Sequence, residues 1–477
     1  MSLRYRHETL RIPFRDPFRI AREVNLTPNS AGLEAVTCIL ALWDDADGSE
    51  GPTGLGEGFP DTYYGETPET IEAVLPLLVE ASGPGERALV ELAGTGESGG
   101  LDVMAARAAL DQAGQAMDDA LGRNGAAKCA LDIALHDLAA RRLGVSLVEL
   151  LGTPPAIPPT DFSIGIDEPA VVAERARRAA AAHPFAALKI KVGTAADLET
   201  LRAVRAVYAG PIRVDANTGW QPDEAARLLP ELQALGVELV EQPFPAHRLD
   251  QLRWLQERSP LPIVADESAV SILDLDGLRG VVAGVNVKLA KCGGVGAARR
   301  MLERATKLGF RRLVGCMEET SVGVAASAAV AGLAEWVDLD GCLLLADDPF
   351  EGLALGPDAR WRLGGPGHGI AYRVTPGRRG SEDPTGCRAG SPQGPRHERL
   401  DDRDRWCVTD RKRPDGWDRR APGDTGSARS ERGGRPGRRG RGRPDRAPGP
   451  GPDPTVSKGV TACEKNHGSL RPGYPLV

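Results

Sequence analysis

Two lysines two residues apart, Lys189 and Lys191, sit in the apolar run Phe-Ala-Ala-Leu-Lys-Ile-Lys-Val-Gly at 185–193. In a strand they project from one face, because side chains alternate with period two. Adjacent ammonium groups repel, which favours the neutral amine of at least one of them, and a neutral lysine is a base. An edge strand guarded by lysines against aggregation would look similar. The residues downstream decide between the two readings.

Asp215, Glu241 and Asp266 each end a short apolar run, in Arg-Val-Asp, Leu-Val-Glu and Val-Ala-Asp. One such acid would be read as a helix N-cap. Three on consecutive strands, following two lysines, imply a hard divalent cation, and oxygen-only ligation favours magnesium. The next run, Val285 to Lys288, ends in lysine instead. A substrate held between Lys189/Lys191 and Lys288 would meet an amine on each face. That arrangement suits removal of a proton from a carbon next to a carboxylate and its return from the other side, with the metal as Lewis acid. Each lysine must be neutral to abstract and charged to donate, so lysine pKa values lowered toward neutrality are expected.

These residues need a scaffold that brings strand ends together. From 161 onward short apolar runs alternate with amphipathic helical stretches. Strands are predicted at Phe162–Ile164, Leu188–Val192, Ile212–Val214, Val237–Val240, Ile263–Ala265, Val285–Lys288, Leu313–Cys316 and Trp336–Leu339. Eight strand–helix units predict a closed α/β barrel of the TIM type, whose active residues gather at the C-terminal rim. A doubly wound open sheet would carry a glycine-rich phosphate turn after its first strand, and Gly165-Ile166-Asp167 is not one. Before the barrel, strands at Leu3–Pro13 and Leu33–Leu42 and helices at 68–80, 102–121 and 126–143 predict an α+β region; 19–30 and 56–67 read as loops.

The chain has 477 residues and a formal charge of −7, unevenly spread. Segment 376–477 holds 23 Lys/Arg against 14 Asp/Glu, which leaves the rest strongly acidic and without a nucleic-acid footprint. That segment is rich in Arg, Gly and Pro and has few aliphatic residues. It reads as a disordered tail, or as the product of a shifted reading frame. The eight cysteines form no C-x-x-C pair. No run of eighteen apolar residues occurs, and Met-Ser-Leu-Arg-Tyr-Arg-His lacks the apolar core of a signal peptide. A cytoplasmic protein without membrane or nucleic-acid partners is expected; a homo-oligomer is left open.

Lys-Ile-Lys (189–191), Asp-Ala-Asn (215–217), Glu-Gln-Pro (241–243), Ala-Asp-Glu-Ser (265–268) and Lys-Leu-Ala-Lys-Cys-Gly-Gly (288–294) together resemble the enolase superfamily, muconate-lactonising subgroup. The resemblance runs from about Leu3 to about Tyr372. It implies a capping domain at 1–125 with a return segment at 346–375, and a catalytic barrel at 126–345. It implies Lys191 and Lys288 as the acid/base pair, Lys189 as orienter of the substrate carboxylate, and one Mg2+ per subunit on Asp215, Glu241 and Asp266. Lys288 is preferred to Lys291 because it ends the strand, whereas Lys291 is placed in the loop that follows. Val-Asp-Leu-Asp-Gly at 337–341 is similar to the pattern of dipeptide epimerases, in which the two aspartates, here Asp338 and Asp340, hold the substrate's free amino group. The resemblance further implies that Cys316, Met317 and Glu318 line a side-chain pocket that Arg22 reaches from a capping loop. The implied activity is epimerisation of the C-terminal residue of a dipeptide such as L-Ala-L/D-Glu. Muconate-type cycloisomerisation, o-succinylbenzoate synthesis and N-acylamino acid racemisation are the alternatives on the same lysine and metal set.

Overall fold

The computed structural model describes residues 3–26, 32–44, 51–94, 102–373 and 407–409. Strands β1 (Leu3–Pro13), β2 (Glu34–Asp44) and β3 (Gly54–Gly58) form an antiparallel sheet. A short helix, α1 (Ala21–Leu26), lies between β1 and β2, where a loop was expected. Helices α2 (Pro68–Gly94), α3 (Val103–Ala120), α4 (Gly125–Leu143) and α5 (Leu147–Leu151) follow. Among the described residues no helix is long and apolar enough to cross a membrane.

The β3 strand falls partly in a segment read as loop, and its glycines show why. A Cβ on Gly54, Gly56 or Gly58 would lie 2.1, 1.9 and 2.3 Å from the carbonyl oxygens of Ala134, Ala130 and Ala126. Alternate strand positions repeat about every 6.7 Å and helix positions four apart about every 6 Å, so the two rows run in step. The strand lies on α4 because it has no side chains on that face, and the same lack removes its β-forming sequence signal. Its other face carries Leu55 and Glu57.

Eight parallel strands follow: β4 (Phe162–Ile164), β5 (Leu188–Lys191), β6 (Ile212–Asp215), β7 (Val237–Glu241), β8 (Ile263–Ala265), β9 (Gly284–Lys288), β10 (Arg311–Gly315) and β11 (Trp336–Asp338). Each pairs with its sequence neighbour, giving one sheet in the order β4 to β11. The outer layer is α6 (Pro169–Ala182), α7 (Asp197–Val207), α8 (Pro222–Ala234), α9 (Leu249–Gln256), α10 (Leu275–Leu278), α11 (Leu289–Cys292), α12 (Val295–Leu308), α13 (Ser321–Ala328) and α14 (Gly341–Leu344).

The seam between β4 and β11 is closed largely through side chains. Asp161 N–H donates to the Val337 carbonyl at 2.8 Å. Leu339 N–H donates to Thr160 Oγ1 at 2.8 Å, and Ser163 N–H to Asp340 Oδ2 at 2.5 Å. The end of β1 joins this edge: Arg15 N–H donates to the Leu344 carbonyl, and Ala346 N–H to the Pro13 carbonyl. That anchorage brings α1 to the barrel.

The return segment carries β12 (Phe350–Glu351), β13 (Ala354–Leu355), β14 (Trp361–Arg362) and β15 (Ala371–Tyr372), paired as two short hairpin-like sheets. Of the segment read as a disordered tail, only β16 (Cys407–Thr409) is described, antiparallel to β1; the rest lies outside the described residues.

Candidate active site

Lys189 and Lys191 do share one face of β5, turned into the barrel, and both are buried. Lys191 Nζ lies 2.7 Å from Asp215 Oδ2 and 5.9 Å from the centre of the Phe18 ring. Lys189 Nζ lies deeper, within 2.7 Å of Asp338, 2.9 Å of Glu241 and 3.3 Å of Asp215. Burial opposes its charge, but Asp338, Glu241 and Asp215 outweigh burial and hold its ammonium well above the usual lysine range.

Strand register sets Lys191 beside Asp215 and Asp215 beside Glu241. Asp266 follows the last residue of β8. One oxygen of each carboxylate lies within 4.8 Å of the other two, and all three residues are buried. Burial, and then the neighbouring Asp215 charge, push the Glu241 carboxyl up to about 7. Lysines overcome the same burial at Asp215 and Asp266 and hold both below the usual carboxylate range. Glu241 Oε2, although 2.9 Å from Lys189 Nζ, has no hydrogen bond of good direction. Three convergent carboxylates, one of them driven toward protonation, form an all-oxygen donor set that fits a hard divalent cation.

Lys288 faces the triad from β9, its Nζ 3.0 Å from Asp266 Oδ2 and 3.9 Å from Met317 Sδ. The expected lowering of lysine pKa is not met here. Burial lowers that of Lys288, but Asp266, with Glu241 and Asp215, more than reverses it, so the ammonium is favoured. Lys291, placed in a loop by the sequence reading, lies instead in the one-turn helix α11 and is buried. It donates to Asp266 Oδ1 at 2.5 Å and to the carbonyls of Asp266, Ala269 and Asn286.

Asp338 Oδ2 takes Lys189, and its Oδ1 accepts from Ser163 Oγ at 3.1 Å. Burial, then the charge of Asp338, push Asp340 up to about 7, whereas Lys189 outweighs burial at Asp338 and holds it low. Cys316 is tied to the turn after β11, its Sγ 3.4 Å from both Asp338 O and Gly341 N. Glu318 is half-buried beside Met317. Arg22 reaches the barrel from α1, but its guanidinium pairs with Glu267 and Asp61 and stacks 4.4 Å over the Tyr63 ring. The Tyr63 and Tyr64 rings meet edge to face at 5.1 Å.

The sequence reading missed several residues that shape this site. Glu57 crosses from β3 to the loop after β10, accepting from Thr320 N, Thr320 Oγ1, Gly323 N and Thr37 Oγ1. Asn286 donates to Glu241 Oε1 at 2.7 Å. Asn286 stands in the run Val285–Lys288 and Lys291 in the motif at 288–294, both already singled out. Glu57 is separated from Thr320 by 263 positions, and nothing local marks the pairing.

Residues 171–373 match the family model described as enolase C-terminal domain-like, and residues 112–152 match the mandelate racemase / muconate lactonizing enzyme N-terminal domain. The chain is 36% identical over 306 residues to an L-Ala-D/L-Glu epimerase of Bacteroides thetaiotaomicron, covering 64% of this chain and 74% of that protein. A dipeptide epimerase from Enterococcus faecalis V583, solved with Mg and L-Leu-L-Tyr, superposes with a TM-score of 0.66 at 29% identity, covering 78% of this chain and all of the other. One from Methylococcus capsulatus, solved with Mg and L-Arg-D-Lys, superposes at 0.64 with 33% identity and the same coverage. With eight parallel strands, an antiparallel N-terminal sheet and a carboxylate triad between lysines, the chain belongs to the mandelate racemase / muconate lactonizing enzyme family of the enolase superfamily.

Proposed function

We propose that the protein is a magnesium-dependent dipeptide epimerase that inverts the α-carbon of the C-terminal residue of a dipeptide such as L-Ala-L/D-Glu. The observation that carries this reading is the placement of Lys191 and Lys288. They stand on the second and sixth of eight strands, on opposite walls, with the carboxylates of Asp215, Glu241 and Asp266 between them. Magnesium bound there would supply Lewis-acid stabilisation of negative charge on a substrate carboxylate.

Lys189 orients that carboxylate from below. In the reaction one of Lys191 and Lys288, as the amine, takes the α-proton while the other, as the ammonium, returns one to the opposite face. Asp338 and Asp340 receive the dipeptide's ammonium, and Cys316, Met317, Glu318 and Arg22 bound its side chain. The described parts of residues 1–125 and 346–375 serve as the cap over a barrel at 126–345. A reducing, cytoplasmic setting is supported by the free thiols of Cys38, Cys129, Cys292, Cys316 and Cys342.

The test is a dipeptide library incubated with enzyme and Mg2+ in deuterium oxide. Mass gain at the α-carbon of a dipeptide supports the reading. Exchange with N-acylamino acids alone, and with no dipeptide, would replace it by the racemase alternative.

A further inference from the structure

The three triad carboxylates divide their oxygens in the same way. One oxygen of each is held by a donor that no substrate would touch: Asp215 Oδ1 by Asn217 N–H at 3.0 Å, Glu241 Oε1 by Asn286 Nδ2 at 2.7 Å, and Asp266 Oδ1 by Lys291 Nζ at 2.5 Å. Among the described residues the other oxygen of each, Asp215 Oδ2, Glu241 Oε2 and Asp266 Oδ2, faces the Nζ of Lys189, Lys191 or Lys288.

We infer that Asn286 and Lys291 are positioning residues of the metal centre, each fixing one carboxylate so that a single, inward oxygen is presented to the cation. The inference rests on the reading of the triad as a magnesium site. Lys291 is unsuited to proton transfer, because four acceptors surround its Nζ: Asp266 Oδ1 and the carbonyls of Asp266, Ala269 and Asn286. It is a fixed donor to Asp266 Oδ1, whereas Lys288 approaches Oδ2.

Asn286 is fully buried, and its Oδ1 has no hydrogen-bond partner, so its amide makes its one side-chain bond to Glu241. Room for that amide comes from Gly315 on β10. A Cβ there would stand 2.7 Å from Asn286 Oδ1 and 2.9 Å from Nδ2. Gly315 pairs with Lys288 in strand register, so the clearance belongs to the strand pair that also carries the acid/base lysine. Outer-sphere partners that orient ligands in this way are worth about 10–100-fold in metal affinity.

The experiment is a calorimetric Mg2+ titration of the EDTA-treated full chain and of Asn286→Ala, Lys291→Met, Gly315→Ala and the Asn286→Ala/Gly315→Ala double variant, with the metal-free unfolding temperature of each. Asn286→Ala and Lys291→Met should each weaken Mg2+ binding about 10–100-fold. Gly315→Ala should weaken it in the wild-type background and add nothing to Asn286→Ala, because the methyl acts by displacing the amide. A general loss of packing would lower the metal-free unfolding temperature without moving the Mg2+ affinity, and would overturn the inference, as would additive effects in the double variant. Should Lys291→Met yield no folded protein, the Asn286/Gly315 cycle decides alone. If the wild-type chain itself binds no Mg2+, the metal reading fails; if it binds Mg2+ and the variants bind equally well, only the positioning role fails.

Discussion

Arg22, on the first short helix, donates to the carboxylate of Glu267, the residue after the proposed metal ligand Asp266. The bond joins positions 245 apart, and the Glu267 side chain is 1% exposed. Helix α1 is therefore linked to the Asp266 end of β8 by a nearly buried ion pair. Arg22→Met removes the cationic partner of a buried carboxyl whose pKa burial and Asp266 already raise, which should cost about 3 kcal/mol in denaturant unfolding. In steady-state assays KM should rise more than kcat falls, because α1 is loosened while the lysines stay in place. An unchanged KM would argue against α1 taking part in substrate binding.

Asp340 gives the site a pH dependence. Burial and the neighbouring Asp338 raise its pKa to about 7, and Asp338 is held low by Lys189. Below pH 7 the pair therefore carries one negative charge; above it, two. An ammonium ligand is favoured by the second charge, so KM for a dipeptide should fall as pH rises from 6 to 8. About tenfold is expected, the worth of one charge-assisted hydrogen bond. Asp340→Asn should flatten that limb of the profile.

Glu318 makes no hydrogen bond or ion pair among the described residues, and it adds to the negative potential at the neighbouring Glu23. A substrate side chain reaching it would meet a half-buried carboxylate. Glu318→Leu should therefore lower kcat/KM for dipeptides with Lys or Arg side chains relative to Leu or Val by about 1–2 kcal/mol, about tenfold. Parallel kinetics on the two substrate types measure it, and an unchanged ratio would place Glu318 outside the side-chain pocket.

Asp137 on α4 ties β3 and the return segment together. Asp137 is fully buried and accepts from Leu55 N, His368 N and Arg141 Nε at 2.9, 3.0 and 2.8 Å. Asp137→Ala strands two buried N–H groups and one guanidinium. A loss of about 3–5 kcal/mol in chemical unfolding is expected, with β3 and residues 367–370 the first amides to gain hydrogen exchange.

Much of this architecture was legible because barrel strands advertise themselves. Phe162–Ile164 and Ile263–Ala265 are short apolar runs with clear ends, and their boundaries match the strands formed. The acids and lysines at the strand ends were readable for the same reason: each breaks an apolar run where the chain reaches the rim. β3 was obscured because Gly54, Gly56 and Gly58 are chosen by the closeness of α4, a tertiary cause without a local pattern. The ionisation of Lys288 depends on three carboxylates 22 to 73 positions away, and the side-chain closure of the seam through Thr160, Ser163 and Asp340 depends on strands at opposite ends of the barrel sequence.

In the proposed mechanism Lys191 and Lys288 serve opposite faces of one α-carbon. The most direct test is α-proton exchange in deuterium oxide with Mg2+, run separately on the L,L and L,D forms of an accepted dipeptide for the wild type, Lys191→Ala and Lys288→Ala. Wild type should exchange and interconvert both forms. Each single variant should lose epimerisation by at least about 10³-fold yet still exchange one form, and the two variants should retain opposite forms. Exchange of both forms by either variant, or of the same form by both, would contradict it.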